Sequence, residues 1–62
     1  MTGFKTKSSV YYLDTQNKRI SGGIFKEKWY GYTSANIIIG TPAVINLTNG
    51  QVIKTSIVEG YI

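Results

Sequence analysis

Short runs of strand-forming residues alternate with turn-forming residues along the chain. Isoleucine, valine, threonine and tyrosine recur in the runs, and glycine, asparagine or proline interrupts them about every eight to twelve residues. No segment combines the apolar spacing of an amphipathic helix with a credible cap. The pattern therefore predicts an all-β protein with no helix longer than one turn.

The first predicted strand covers residues 9–13, where side chains alternate between two faces. Val10 and Tyr12 lie on one face, and Tyr11 and Leu13 on the other. Residues 14–18 contain aspartate and asparagine, whose side chains bind nearby backbone amides, so we predict a turn there.

Glycines and a proline divide the middle of the chain. A second strand begins near Arg19, and the pair Gly22-Gly23 allows a bulge or a sharp bend. Residues 24–32 are apolar or aromatic with lysines between them, and Gly31 is expected at a kink or a close approach. Residues 35–39 are the most hydrophobic run, and we predict a central core strand that ends before Pro42.

A β-hairpin is the clearest local structure in the sequence. Asn49-Gly50 lies between two apolar segments, which is the strongest short signal for a hairpin. A two-residue loop opposes Ile45 to Lys54, whereas a three-residue loop with Gly50 left-handed opposes Ile45 to Ile53. We prefer the second register, because a one-residue slip exchanges the faces of a strand. In it, four apolar residues are expected to be buried together: Ile45, Leu47, Ile53 and Ile57.

These elements favour a small SH3-like barrel of four or five short antiparallel strands. Without a helix to cover one face, the short strands must curl onto themselves to enclose a core. We expect a single helical turn near Thr55-Ser56 and a closing strand over residues 58–62. Residues 1–62 form one domain, with residues 1–7 as a flexible arm. An OB-type barrel and a two-layer dimer of open sheets are the alternatives.

Composition narrows the chemistry. The 62 residues contain no cysteine and no histidine, so disulfides and the usual zinc sites are not expected, and we assign no cofactor and no metal site. The acidic residues are Asp14, Glu27 and Glu59, and none is placed like a tuned acid or base, which argues against an enzyme. No apolar run is long enough to cross a bilayer or to act as a secretory signal, so we expect a cytoplasmic protein without membrane contact.

Positive charge is concentrated in the first 28 residues. The whole chain carries a net charge of +4, while residues 29–62 contain one lysine and one glutamate. Aromatic residues lie among these cations, a mixture that attracts phosphates and stacks on bases. The candidate contacts for nucleic acid or a partner are Lys18, Arg19, Lys26, Lys28, Trp29, Tyr30 and Tyr32, with Lys5 and Lys7 on the arm. Trp29 is nevertheless expected in the core, because so small a barrel needs large side chains inside.

Two functions fit this surface. The first is a protein-interaction module, which binds a partner or associates with itself as a homodimer, for instance through an unpaired edge strand. The second is a nucleic-acid-binding barrel, in which rings stack on bases and lysines follow the backbone.

Gly22-Gly23 raises a third, minor alternative. Leader peptides of small secreted bacteriocins end in two glycines at a similar distance from the first methionine. The product would begin at Ile24 and carry a basic aromatic segment.

The spacing of the C-terminal turns resembles that of a group of small bacterial proteins. Residues 40–44, Asn49-Gly50 and residues 54–58 are similar to small uncharacterised proteins of Gram-positive bacteria and their phages or plasmids, which are often expected to be SH3-like. The resemblance covers the C-terminal third and implies a bacterial cytoplasmic protein of mobile-element origin. It assigns no functional residue.

Overall fold

The computed structural model describes residues 2–62 as one closed sheet of six antiparallel strands. The strands are β1 (Gly3–Thr6), β2 (Val10–Asp14), β3 (Arg19–Gly22), β4 (Tyr30–Asn36), β5 (Pro42–Leu47) and β6 (Val52–Tyr61), and a 3₁₀ turn (Gly23–Phe25) follows β3. The prediction of an all-β protein with antiparallel strands is confirmed, but six strands replace the expected four or five. No helix in the described part of the chain is long and apolar enough to cross a membrane.

Each strand pairs with its neighbours in the chain, and β6 also pairs with β1, which closes the sheet. Connections therefore alternate between two ends. The 3₁₀ end holds the β1–β2, β3–β4 and β5–β6 connections; the terminal end holds the β2–β3 and β4–β5 connections together with residues 2 and 62. Because the sheet closes, each of the six strands has a neighbour on both sides, and self-association stays a prediction.

The interior is filled by apolar side chains from all six strands. The most completely enclosed are Phe4, Ile20, Ile45 and Val58. The predicted alternation of β2 is confirmed: Tyr11 and Leu13 are buried, whereas Val10 and Tyr12 are exposed.

The expectation of a flexible N-terminal arm is wrong for residues 3–6. They form β1, which pairs with both β2 and β6. Phe4 is fully buried, and its ring stacks on that of Tyr11 with centroids 4.8 Å apart. Lys5 points outward from this strand, and Lys7 lies in the turn after it. Met1 lies outside the described residues.

The predicted turn after β2 is confirmed, and the Asp14 carboxylate holds it. One carboxylate oxygen accepts the Asn17 backbone N–H at 3.2 Å, and the other accepts the Asn17 side-chain amide at 2.9 Å. These bonds favour the ionised carboxylate, so they lower the pKa of Asp14 from its ordinary value of 3.8.

This lowered pKa predicts an acid-sensitive contribution to stability. Because the folded pKa is depressed, the contribution is present above about pH 4 and is lost as the pH falls through the folded pKa. We expect Asn17→Ala, which removes the side-chain amide donor, to bring the Asp14 pKa closer to its ordinary value. An NMR titration of the carboxyl checks this, with Gln16→Ala as the control in the same turn. Equal Asp14 pKa values in Asn17→Ala and the unmodified protein would contradict the assignment.

The run of isoleucines after β4 is not the central strand that its hydrophobicity predicts. β4 ends at Asn36, and Ile38 and Ile39 are 53% and 51% exposed. The carbonyl of Ile38 accepts both the backbone N–H and the hydroxyl of Thr41, which turns the chain back toward β5. The hydrophobicity of the segment predicted a buried strand, but the turn places the side chains of Ile38 and Ile39 outside the sheet.

The β5–β6 hairpin has the predicted three-residue loop. Ile45 lies opposite Ile53, and the Leu47 N–H donates to the Gln51 carbonyl at 2.8 Å. Gly50 has a φ of 90°, as a left-handed loop position requires.

Beyond this hairpin the expectations fail in two ways. β6 continues through Thr55-Ser56 as a strand, so the expected helical turn is absent there, and Ile57 is 55% exposed instead of buried. The cause is an irregularity opposite Pro42, where the register between β5 and β6 shifts. The Thr55 hydroxyl accepts the Ala43 N–H at 3.1 Å and turns inward, so Val58 rather than Ile57 enters the core.

Candidate binding site

The connection between β3 and β4 forms the candidate site, and two glycines shape its start. Gly22 and Gly23 have φ values of 86° and 50°, so the predicted sharp bend is confirmed. The carbonyl of Lys26 then accepts the Gly22 N–H at 2.9 Å and the Ser21 hydroxyl at 3.3 Å. These bonds tie the connection back to the end of β3.

Aromatic packing supports the connection from below. The buried ring of Phe25 packs edge-on against Tyr11, with centroids 6.3 Å apart, and tilted against Tyr30 at 5.1 Å. The Tyr11 hydroxyl accepts the Ile24 N–H at 3.4 Å. Phe25 thus links the site to the core, and Tyr30 continues the aromatic surface outward.

A cavity of about 710 Å³ opens on this aromatic surface. We call it the Lys26–Lys28 pocket; its lining residues are Ile24, Phe25, Lys26, Glu27, Lys28 and Tyr30. Ile24 is 58% exposed and Tyr30 is 39% exposed, so apolar surface is open to solvent in a pocket that two lysines also line. The pocket combines an apolar contact surface with local positive charge.

The structure brings together only part of the predicted site. Lys26, Lys28 and Tyr30 line the pocket. Trp29 follows Lys28 just before β4 and is 51% exposed, so its expected place in the core is wrong. The predicted mixture of exposed aromatic residues and cations is incomplete, because Phe4, Tyr11, Phe25 and Tyr32 are buried.

Three predicted contacts lie elsewhere. Tyr32 is a core residue with 8% exposure, so its assignment as a contact is wrong. Lys18 lies in the β2–β3 turn, at the terminal end and away from the pocket. Arg19 is exposed and lies opposite Asp14 on β2 and Gly31 on β4.

Ile24, Phe25 and Glu27 also line the pocket, although the sequence pattern did not mark them as contacts. The sequence does contain a signal for two of them: the apolar pair Ile24-Phe25 comes directly after the bend at Gly22-Gly23. Gly31 was correctly expected at a close approach: a side-chain carbon there would come within 3.2 Å of the Thr48 hydroxyl.

In the described part of the chain, the buried polar side chains form their hydrogen bonds within the protein. Across residues 2–62, each buried side-chain nitrogen or oxygen has a hydrogen-bond partner. Within the same residues, no three acidic, histidine or cysteine side chains are grouped to hold a metal ion. What the pocket offers a ligand is therefore aromatic and aliphatic contact together with the two lysines.

Comparison with known proteins gives no relative: no protein family, no curated protein and no solved structure matches this chain.

Proposed function

We propose that this protein is a non-enzymatic binding module that holds an acidic segment of a partner protein in the Lys26–Lys28 pocket. The observation that carries the proposal is the juxtaposition of the partly exposed Tyr30 ring, which packs on the buried Phe25, with lysines on both sides of Glu27. Such a pocket accepts one apolar anchor side chain and pairs with carboxylates beside it.

The aromatic surface would provide most of the affinity. Anchors that fill a pocket and exclude water dominate protein interfaces, and tyrosine and tryptophan are common among them. Tyr30 is partly exposed and its ring packs against Phe25, so little of its side-chain freedom is lost when a partner covers it. The neighbouring Trp29 is 51% exposed and offers a second ring.

The lysines would select the partner by charge. Lys26 and Lys28 outnumber Glu27 in the pocket, and Lys7 lies in another connection at the same end of the sheet. Carboxylates near such a surface gain both faster encounter and specificity, and salt weakens both effects.

A peptide suits this arrangement better than a nucleic acid. Nucleic-acid recognition on small β-domains uses several exposed rings and a track of cations. Here Tyr32 is buried and Lys18 belongs to the opposite end, which shortens any such track to the pocket and its rim. A single pocket with an apolar surface favours one anchor side chain.

We further propose that the closed sheet is a small SH3-like barrel. In support, β6 is the longest strand and pairs with β5 through its first half and with β1 through its second half. A long bent strand of this kind joins the two curved halves of a compact barrel.

Peptide display on the purified protein tests the function. We expect selected peptides to combine aspartate or glutamate with an aromatic or aliphatic anchor. Trp29 is the sole tryptophan, so its fluorescence reports binding directly. Since an exposed ion pair is worth about 0.2–1 kcal/mol, the double variant Lys26→Ala/Lys28→Ala should weaken binding about two- to thirtyfold.

Lys54→Ala is the matched control, because Lys54 is an exposed lysine on β6 outside the pocket. It should leave peptide affinity unchanged. Single- and double-stranded oligonucleotides form the second arm of the experiment. Salt-sensitive oligonucleotide binding that falls in the double variant, or selected peptides without acidic residues, would overturn the proposal in favour of another ligand.

A further inference from the structure

A second exposed apolar surface lies at the other end of the molecule. We call it the isoleucine patch, and its residues are Ile38, Ile39, Ile57 and Tyr61, with exposures of 53%, 51%, 55% and 48%. Side chains of this kind are ordinary on a surface when scattered, but a contiguous group marks an interaction site.

Backbone hydrogen bonds bring these residues together. The β4–β5 connection runs back along β6: the Gly40 N–H donates to the Val58 carbonyl, and the Val58 N–H donates to the Thr41 carbonyl, both at 2.9 Å. The Tyr61 hydroxyl donates to the Ile37 carbonyl at 2.9 Å. The patch is thus formed by the β4–β5 connection and β6, which are hydrogen-bonded to each other.

Charge around the patch favours a second copy of the same chain. The protein has a net charge of +4, but residues 29–62, which include the patch, contain one lysine and one glutamate, Lys54 and Glu59. Two like-charged molecules repel least where their facing surfaces are neutral. The isoleucine patch itself carries no charge and β6 carries one charge of each sign, while the exposed Lys5 of β1 lies beside Gly60 at the border of this surface.

The order of charges along β6 is also self-complementary. Lys54 and Glu59 are both exposed, and the midpoint between them falls at Ser56-Ile57. A twofold axis through that midpoint would bring Lys54 of each copy near Glu59 of the other. In a twofold-symmetric interface, a contact of one residue with a second residue of the other copy is always repeated in the opposite direction.

We infer that the outer face of β6 and the isoleucine patch form a homodimer interface, with Ile57 near the twofold axis. β6 pairs with β5 through its first half and with β1 through its second half, and the proposed contact uses the outward side chains of the strand rather than its backbone. The interface lies away from the Lys26–Lys28 pocket, so each copy would keep its pocket free.

Sedimentation equilibrium up to about 1 mM protein tests the dimer. We expect a species of twice the 6.9 kDa chain mass, and we expect Ile57→Lys to be monomeric over the same range. Circular dichroism checks that each variant keeps the fold. A monomeric unmodified protein, or a dimer that persists in folded Ile57→Lys, would overturn the inference.

Charge reversal tests the twofold pairing itself. Glu59→Lys and Lys54→Glu each place like charges opposite each other, and each should weaken the dimer roughly tenfold. The double variant Lys54→Glu/Glu59→Lys restores unlike pairs and should recover the original dissociation constant. A simple effect of net charge would shift the two single variants in opposite directions, and that result would refute the pairing.

Discussion

Replacing Phe4 with alanine is expected to remove most of the stability of this protein. Phe4 is fully buried and stacked on Tyr11, and truncating a buried phenylalanine costs about 3–5 kcal/mol. A domain of 62 residues has a total stability of roughly 3–9 kcal/mol. We therefore expect Phe4→Ala to be largely unfolded at room temperature or close to it.

Urea unfolding followed by circular dichroism and Trp29 fluorescence measures this effect. Lys5→Ala is the matched control, because Lys5 lies in the same strand but is exposed; its free energy of unfolding should change by less than about 0.5 kcal/mol. If Phe4→Ala were as stable as Lys5→Ala, β1 would not belong to the folded core.

The second large effect is expected for Gly22→Ala. Gly22 has φ 86° and ψ −178°, a conformation that is essentially restricted to glycine and costs other residues about 1–3 kcal/mol. A side-chain carbon there would also collide with the backbone carbonyl oxygen of Val10 on β2. Because backbone must move to relieve the collision, we expect a total loss of more than about 3 kcal/mol.

Gly40→Ala separates the cost of the backbone conformation from the cost of the collision. Gly40 has a φ of 91°, but no heavy atom lies within 4 Å of the position that a side-chain carbon would take. It should therefore show conformational strain alone, about 1–2 kcal/mol. Thermal unfolding of both variants gives the difference, and equal losses would mean that the approach between Gly22 and β2 does not constrain the fold.

Local patterns predicted the elements whose causes are local. The Asp14–Asn17 turn, the bend at Gly22-Gly23 and the three-residue loop at Gly50 each depend on residues within a few positions of one another. The register of the hairpin was also predictable, because alternation along two adjoining segments allows one arrangement that buries Ile45 opposite Ile53.

For the aromatic residues near the pocket, local patterns did not predict which side chains are buried. Trp29, Tyr30 and Tyr32 are close in sequence, and their order does not say where the strand begins. In the structure β4 begins at Tyr30, so Trp29 stays outside the strand while Tyr32 points into the interior. For this reason the predicted site is assembled only in part: Lys26, Lys28 and Tyr30 line the pocket, whereas Tyr32 lies in the core.

By itself, the sequence determined the strand class, the principal turns, the pairing of the hairpin and the uneven charge along the chain, because these follow from neighbouring side chains and backbone preferences. Only the tertiary structure decided that β1 closes the sheet with β6, that Phe4 lies inside while Ile57 lies outside, and that Lys26 and Lys28 flank an aromatic pocket. Those features depend on contacts between residues distant in sequence and on a shift of register at Thr55, where one buried hydroxyl changes the side of the strand that faces the core.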